Sequence, residues 1–424
     1  MDLVNRGWLR HWRRRAAIFF AVVGPGIITA NVDNDAGGIY TYSVTGASHG
    51  YSLLWTLIPI TVALIVVQEM VARMGVVTGK GLADLIREEY GFRTTFILMA
   101  LVFVANLGTT VANFAGLASG MALFGASRFI AVPVGALFVW LLIVKSSYRF
   151  VEKVFLAFCL FYLAYPISCL FARPDWTQAL VSTVKPSFHF DVGYLYLVIA
   201  LVGTTITPWM QFYQQASMVE KGVKVKDYSL VRWDVILGCI MTNVVSFFII
   251  VACAATIYAG GQGQISSAAD AAMALRPLAG HAAQILFAFG LVNASIFAVS
   301  IVPLSVAYYI CEGLGLESGV DKRFNEAPAF YWLFTGLIVF SALIVMVLKE
   351  STQVPIILMA QVANGILLPF VLIFMLRLSN RVDLMGEHKN RRPFNVIAWT
   401  TSIVMIVLTA LLLVSSFFPG RLPV

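Results

Sequence analysis

Charged side chains are scarce in this chain. Asp, Glu, Lys and Arg make up only 12% of the 424 residues, against 60% hydrophobic residues, and the mean hydropathy is +0.86. That leaves too little polar surface to cover a water-soluble globule of this size, so a soluble enzyme or binding module is excluded. Histidine is nearly missing too. Of five, His11 and His388 fall in basic connections and His49, His189 and His281 near the opposite ends of apolar runs. A string of imidazoles that would titrate near neutral pH and pass protons is therefore absent from the interior. The five cysteines (Cys159, Cys169, Cys239, Cys253, Cys311) lie in or at the ends of apolar runs without paired spacing, which reads as hydrophobic packing. The apolar runs also lack a histidine pair, a nucleophile elbow or ligands clustered at metal-site spacing, which sets an intramembrane enzyme well behind a carrier.

What the chain does have is apolar runs long enough to cross about 30 Å of hydrocarbon, roughly 20 residues each. Eleven occur, near 16–43, 51–77, 95–124, 130–144, 151–171, 192–219, 235–259, 282–314, 329–348, 354–378 and 394–417. They predict an all-α polytopic membrane protein: a basic leader, residues 1–15, and one transmembrane domain, residues 16–424. No separate soluble domain is expected, since the longest polar stretches are the basic connections and 260–276. The first run continues through Asp33 and Asp35 without a cleavage site, so it reads as a span rather than a secretory signal. Asn293-Ala294-Ser295 matches a glycosylation acceptor but falls inside the eighth run, and is set aside.

Lysine and arginine are unevenly placed. Connections on the leader's side hold 23 of the 29; the other side holds Arg128, Arg173, Lys185, Arg276, Lys349 and Arg421. The bias predicts a cytoplasmic amino terminus and an outside carboxyl terminus, in a plasma membrane. It accounts for the net charge of +8 without nucleic acid, and Arg13 to Arg15 suit anionic lipid.

Two apolar runs are interrupted. In the first, Gly24-Pro25-Gly26 is followed by Asp33-Asn34-Asp35-Ala36-Gly37-Gly38; the sixth contains Gly203-Thr204-Thr205-Ile206-Thr207-Pro208-Trp209-Met210. Non-helical backbone at membrane depth is tolerated only where it is buried in protein or lines a cavity. If runs one to five and six to ten are halves, each half opens on a broken helix and the odd number five inverts the second half, with the eleventh run extra. This is the inverted-repeat pattern of secondary transporters.

These residues resemble the NRAMP (natural resistance-associated macrophage protein) divalent-metal transporters, whose first span reads G-P, then D-P-G-N, then G-A, and whose sixth reads M-P-H-N. Gly24-Pro25 and Gly46-Ala47 flank Asp35 at the family intervals and select it, rather than Asp33, as the family aspartate. The stretch from Gln68 to Leu85 is similar to the family sequence after the second span, and Cys311-Glu312-Gly313-Leu314 to the end of the eighth. The differences are informative. D-P-G-N is replaced by Asp35-Ala36-Gly37-Gly38 and M-P-H-N by Thr207-Pro208-Trp209-Met210; Gln214 stands at the second family histidine, and Asn106 and Thr109 where the family carries acids thought to pass protons. That pattern is similar to the divergent NRAMP-related magnesium transporters.

Chemistry points the same way. A thioether favours soft transition metals, whereas carboxylate, hydroxyl, amide and carbonyl oxygens suit magnesium and manganese. Thr207 in place of methionine removes the bias against hard ions, and Gly38 in place of asparagine is expected to leave room for the water that magnesium keeps. Asp35 is the expected anchor for the cation, directly or through water, with helix-end capping as its structural alternative, because an uncompensated carboxylate in a span is costly. Asp33 is a candidate vestibule carboxylate. The carbonyls of Gly203 or Thr204, with the side chains of Thr204, Thr207 and Gln211, are candidate oxygen donors, against a role in helix packing. Trp209 reads as an indole lining the path. Gln361 and Asn364, three apart on the tenth span, either reach the ion in one state or pack helices.

The resulting reading is a carrier that takes up hydrated Mg2+, and Mn2+, by alternating access without protons. No cofactor and no enzymatic activity are expected, and the partners are the divalent ion and the bilayer. The alternatives are a proton-coupled manganese or iron importer of the same family and a sodium-coupled amino-acid carrier, the latter disfavoured because Asp35 would repel a substrate carboxylate.

Overall fold

The computed structural model describes residues 24–188, 192–261, 265 and 268–417. The basic leader, the start of the first span, His11, His189 and Arg421 lie outside the described residues. Within them the chain is helical, with no strand. Nine helices are long and apolar enough to cross a membrane. Two further expected spans fall below that length: the fourth, Arg128–Val144, has 17 residues, and the first is split into Pro25–Asn31, a 3-10 turn Val32–Asn34 and Ala36–His49. Large apolar side chains such as Val104, Leu160, Trp332 and Met359 stand exposed on the outer surface, as expected of a lipid-facing wall.

Several helices overrun the apolar runs, because backbone hydrogen bonding does not stop where hydrophobicity does. The seventh span starts at Tyr228, and the first ends at His49, where Gly50 takes φ 57. Stretches read as polar connections are also partly helical. Residues 82–90 form a helix leading into the third span, Trp176–Val184 forms another, and the expected outer loop 260–276 is helical from Ala268. The fifth span is interrupted at Tyr162 and Leu163.

Burial separates centre from periphery. The apolar window of the sixth span is 89% buried and that of the eleventh 17%. The first and sixth spans sit inside a scaffold in which the third and eighth pack most extensively on each other. These two scaffold helices share a detail. Gly91 (φ 79, ψ 170) and Gly280 (φ 82, ψ 172) break them at their starts with nearly the same dihedrals, open to glycine alone without strain. The third and eighth spans hold the same place in the two proposed halves, as do the broken first and sixth.

The short first piece of the first span is tied to the seventh. Asp234 accepts from the amides of Gly24 (3.1 Å), Gly26 (2.7 Å) and Ile27 (3.1 Å), donors that a helix start leaves without an intrahelical partner. Gly26 and Gly238 allow the approach, since a Cβ on either would run into the other helix's backbone.

Candidate metal site

The two breaks meet in the protein's interior. In the first, Asp35 has extended backbone (φ −70, ψ 180) and opens the helix Ala36–His49. In the sixth, the helix ends at Thr205 and a new one starts at Pro208, with only Ile206 and Thr207 between. Pro208 has no N–H, so the carbonyl of Thr204, four residues earlier, loses its helical donor.

Asp35 performs the capping role that was its structural alternative. Its Oδ1 accepts from the Gly38 amide at 2.7 Å and its Oδ2 from Asn113 Nδ2 at 2.8 Å. Asn113 is itself fixed: its Oδ1 accepts from the Ala36 amide (2.9 Å) and its Nδ2 also donates to the Thr109 carbonyl (2.9 Å). A carboxylate offers about four lone-pair positions. Gly38 and Asn113 take two and the Gly37 amide also acts on the carboxylate, which leaves capacity for a cation beside the cap. No lysine or arginine pairs with Asp35 or Asp33 among the described residues.

Neutral oxygens with unmet capacity lie at the two breaks and on the tenth span. The hydroxyls of Thr204 and Thr207 and both amide atoms of Gln361 are buried without a partner among the described residues. Close approaches join them: a Cβ on Gly37 would collide with Gln361 Nε2 and lie 3.2 Å from Asp35 Oδ1, one on Gly38 would lie 3.2 Å from Thr204 Oγ1, and one on Gly203 would strike the Gln361 carbonyl. Asp35, Gly38, Gly203, Thr204 and Gln361 are thus gathered from the first, sixth and tenth spans. Each buried polar group left unpaired costs ~1–3 kcal/mol, a cost that donors and acceptors of a hydrated ion would remove.

The structure corrects one expectation at this site. Gly38 does not leave room for a hydration shell, because a side chain there would strike the carbonyl oxygen of Asp33 before reaching Thr204. Glycine serves here to let the 3-10 turn and the sixth span close on the helix start.

Other predicted residues are placed differently. Asp33 sits on the 3-10 turn, buried, with both carboxylate oxygens unpartnered among the described residues, and its electrostatic neighbours include Tyr42 and Tyr162 as well as Asp35. Gln211 is committed to helix contacts, donating to the Thr207 carbonyl (3.0 Å) and accepting from Gln68 Nε2 (3.3 Å). Trp209 is buried, its ring beside Tyr213 and its carbonyl accepting from Ser305. Asn364 donates to Thr109 Oγ1 at 3.1 Å, a packing contact between the tenth and third spans. Gln214 is buried with neither amide atom satisfied among the described residues.

Asn113 and Asp234 went unnoticed in the sequence. Asn113 was within reach, because Asn106, Thr109, Thr110 and Asn113 form a polar stripe at helical spacing in an apolar run. Asp234 offered only a lone carboxylate at the start of one.

Paired broken helices, a buried carboxylate and neutral oxygens in a helical membrane bundle define a secondary transporter. Solved structures share the architecture. An Eremococcus coleocola manganese transporter in complex with an aromatic bis-isothiourea substituted compound aligns with a TM-score of 0.74 and 21% identity over 95% of this chain and 89% of that one. A histidine-to-alanine mutant of that transporter gives 0.76 and 19% over 96% and 89%. Mhp1, a nucleobase-cation-symport-1 family transporter in a closed conformation with bromovinylhydantoin bound, gives 0.54 and 12% over 94% of both. Across residues 26–415 the sequence matches the family described as Natural resistance-associated macrophage protein-like. The chain belongs to the Nramp family; it is a multi-pass divalent-metal transporter and not an enzyme.

Proposed function

We propose that this member carries hydrated Mg2+, and also Mn2+, into the cell by alternating access without moving protons. The observation that supports the reading is the chemistry at the paired breaks: one carboxylate, Asp35, close to Thr204 and Gln361, with the Thr207 hydroxyl at the sixth-span break. Hard oxygen donors suit magnesium, which sheds water reluctantly and usually keeps several waters on one or two carboxylates. Among the described residues no group of three or more His, Cys, Asp and Glu is placed to hold a metal ion, and an ion that keeps its water needs no such group.

By the family resemblance, Gln214, Asn106 and Thr109 stand where titratable groups would serve a proton path, and they are amides and a hydroxyl. An inside-negative potential is sufficient drive: a doubly charged ion gains about 4.6 kcal/mol per 100 mV, twice the single-charge value. The setting is a plasma membrane with the amino terminus in the cytoplasm, where the lysine and arginine bias would place it.

The test is ion flux into liposomes carrying magnesium- and pH-sensitive dyes together. Magnesium entry that follows an imposed potential, with no change in luminal pH, is expected. Entry of manganese but not magnesium, with luminal acidification that requires the metal, would establish the proton-coupled importer instead.

A further inference from the structure

The end of the bundle where lysines and arginines gather holds a cavity of about 80 Å3 that metal transport leaves unused. Three elements distant in sequence wall it: the second span with Glu69 and Arg73, the start of the seventh with Tyr228 and Arg232, and the connection leading into the eleventh. Charge there does not balance. Arg73, Arg232, Lys389 and Arg391 share the cavity with two carboxylates, Glu69 and Glu387. Glu69 is already engaged, accepting from the Tyr228 hydroxyl and lying 3.5 Å from the Arg73 guanidinium. Arg232 and Arg391 both act electrostatically on that same carboxylate and on Arg73. Among the described residues Arg232, Lys389 and Arg391 form no ion pair.

Arg73 is held in place at this spot. It is 5% exposed, lies over the Phe394 ring at 5.4 Å and donates to the Asn390 side-chain oxygen, while its Nε has no partner among the described residues. Asn390 is fixed in turn by Met70 and Asn395. A fixed guanidinium beside two more presents the fork geometry that suits phosphate oxygens. One water needs ~10–15 Å3 of such space, so the cavity admits a group of several heavy atoms. Exposed Trp233, next to Arg232, is the residue type that sits at headgroup depth.

We propose that this cavity binds a phosphate group, supplied by an anionic lipid headgroup or by soluble phosphate. Bound there, it bridges the second span, the seventh and the connection to the eleventh, and holds that end of the bundle together. The site is independent of which metal is carried.

Native mass spectrometry of the full chain, titrated with phosphatidylglycerol, phosphatidylcholine and inorganic phosphate, separates the sources. Adducts with phosphatidylglycerol or phosphate in excess of phosphatidylcholine are expected, weakened at least about tenfold in Arg232→Gln and in Arg391→Gln, since each removes a charge-assisted bond. Arg391→Lys, keeping charge without the fork, should recover part of the loss. A lipid preference without phosphate adducts identifies the headgroup as the source, and the converse the soluble anion. On the unaltered chain, raising salt from ~0.1 M to ~1 M should erase the preference, as the screening length falls from about 10 Å to about 3 Å. Adducts with neither source, adducts undiminished in the Arg232→Gln/Arg391→Gln double variant, or binding indifferent to salt would each overturn the site.

Discussion

Replacing Asp35 with asparagine separates its two roles. The substitution keeps a side-chain oxygen to cap the Gly38 amide and keeps the volume, but removes the charge. Capping is worth ~0.5–2 kcal/mol, which asparagine retains in large part. Removing the charge relieves part of the ~2.5–3.5 kcal/mol that an aspartate costs on insertion scales, only part because asparagine is polar too. The remaining strain is local: the Asn113 amide would face a second amide in place of a carboxylate oxygen, at a cost of about 1–3 kcal/mol if neither rotates. These terms nearly cancel, so Asp35→Asn should express and melt close to the parent. Transport should not survive. A divalent ion held through one water, roughly 5 Å from a single charge at an effective dielectric of about 20, gains about 6–7 kcal/mol from it. Losing even half of that lowers occupancy more than about 100-fold. The assay is magnesium-dye uptake in proteoliposomes beside a fluorimetric melt. Uptake within threefold of the parent would refute the anchor role, and a melt lowered by many degrees with residual uptake would show that Asp35 is chiefly a cap.

Thr207→Met should shift uptake from magnesium toward manganese or cadmium, measured by competition, with an unchanged ratio counting against the soft-donor argument. Gly38→Ala should lose most transport through collision with the Asp33 carbonyl; parental flux would show that the turn yields without cost. Asp234→Ala leaves three amides without their acceptor, so hydrogen exchange over residues 24–31 should quicken by tenfold or more while the eighth span stays protected; unchanged exchange would show that the short helix does not depend on that carboxylate.

The sequence disclosed those parts of the site that interrupt a pattern. Gly24-Pro25, Asp35 and Thr207-Pro208 break runs that are otherwise apolar, and polar or helix-breaking groups at membrane depth need a reason. Contacts between spans left no such mark. Asn113 looks like one of several polar residues on its helix until Asp35 is seen against it, and Asp234 caps amides about 208 residues away. Gly38 was misread because a glycine is written the same way whether its vacant side is open or filled by a neighbour. The helices 82–90 and Trp176–Val184 are short, and their composition matched a connection.

Four helix ends converge at the paired breaks: the N-termini of Ala36–His49 and Pro208–Glu220, and the C-terminal ends of the short first-span piece and of Val192–Thr205. Each N-terminus carries about +0.5 of a charge and each C-terminus about −0.5, so two of each sum to almost nothing at their common centre. The backbone scaffold is therefore indifferent to the sign of what it encloses. Among the described residues Asp33 and Asp35 are the carboxylates that tip this centre toward cations. One fold is shared by a manganese transporter and a nucleobase-cation-symport-1 family transporter, as expected where cargo is set by side chains rather than by the helices.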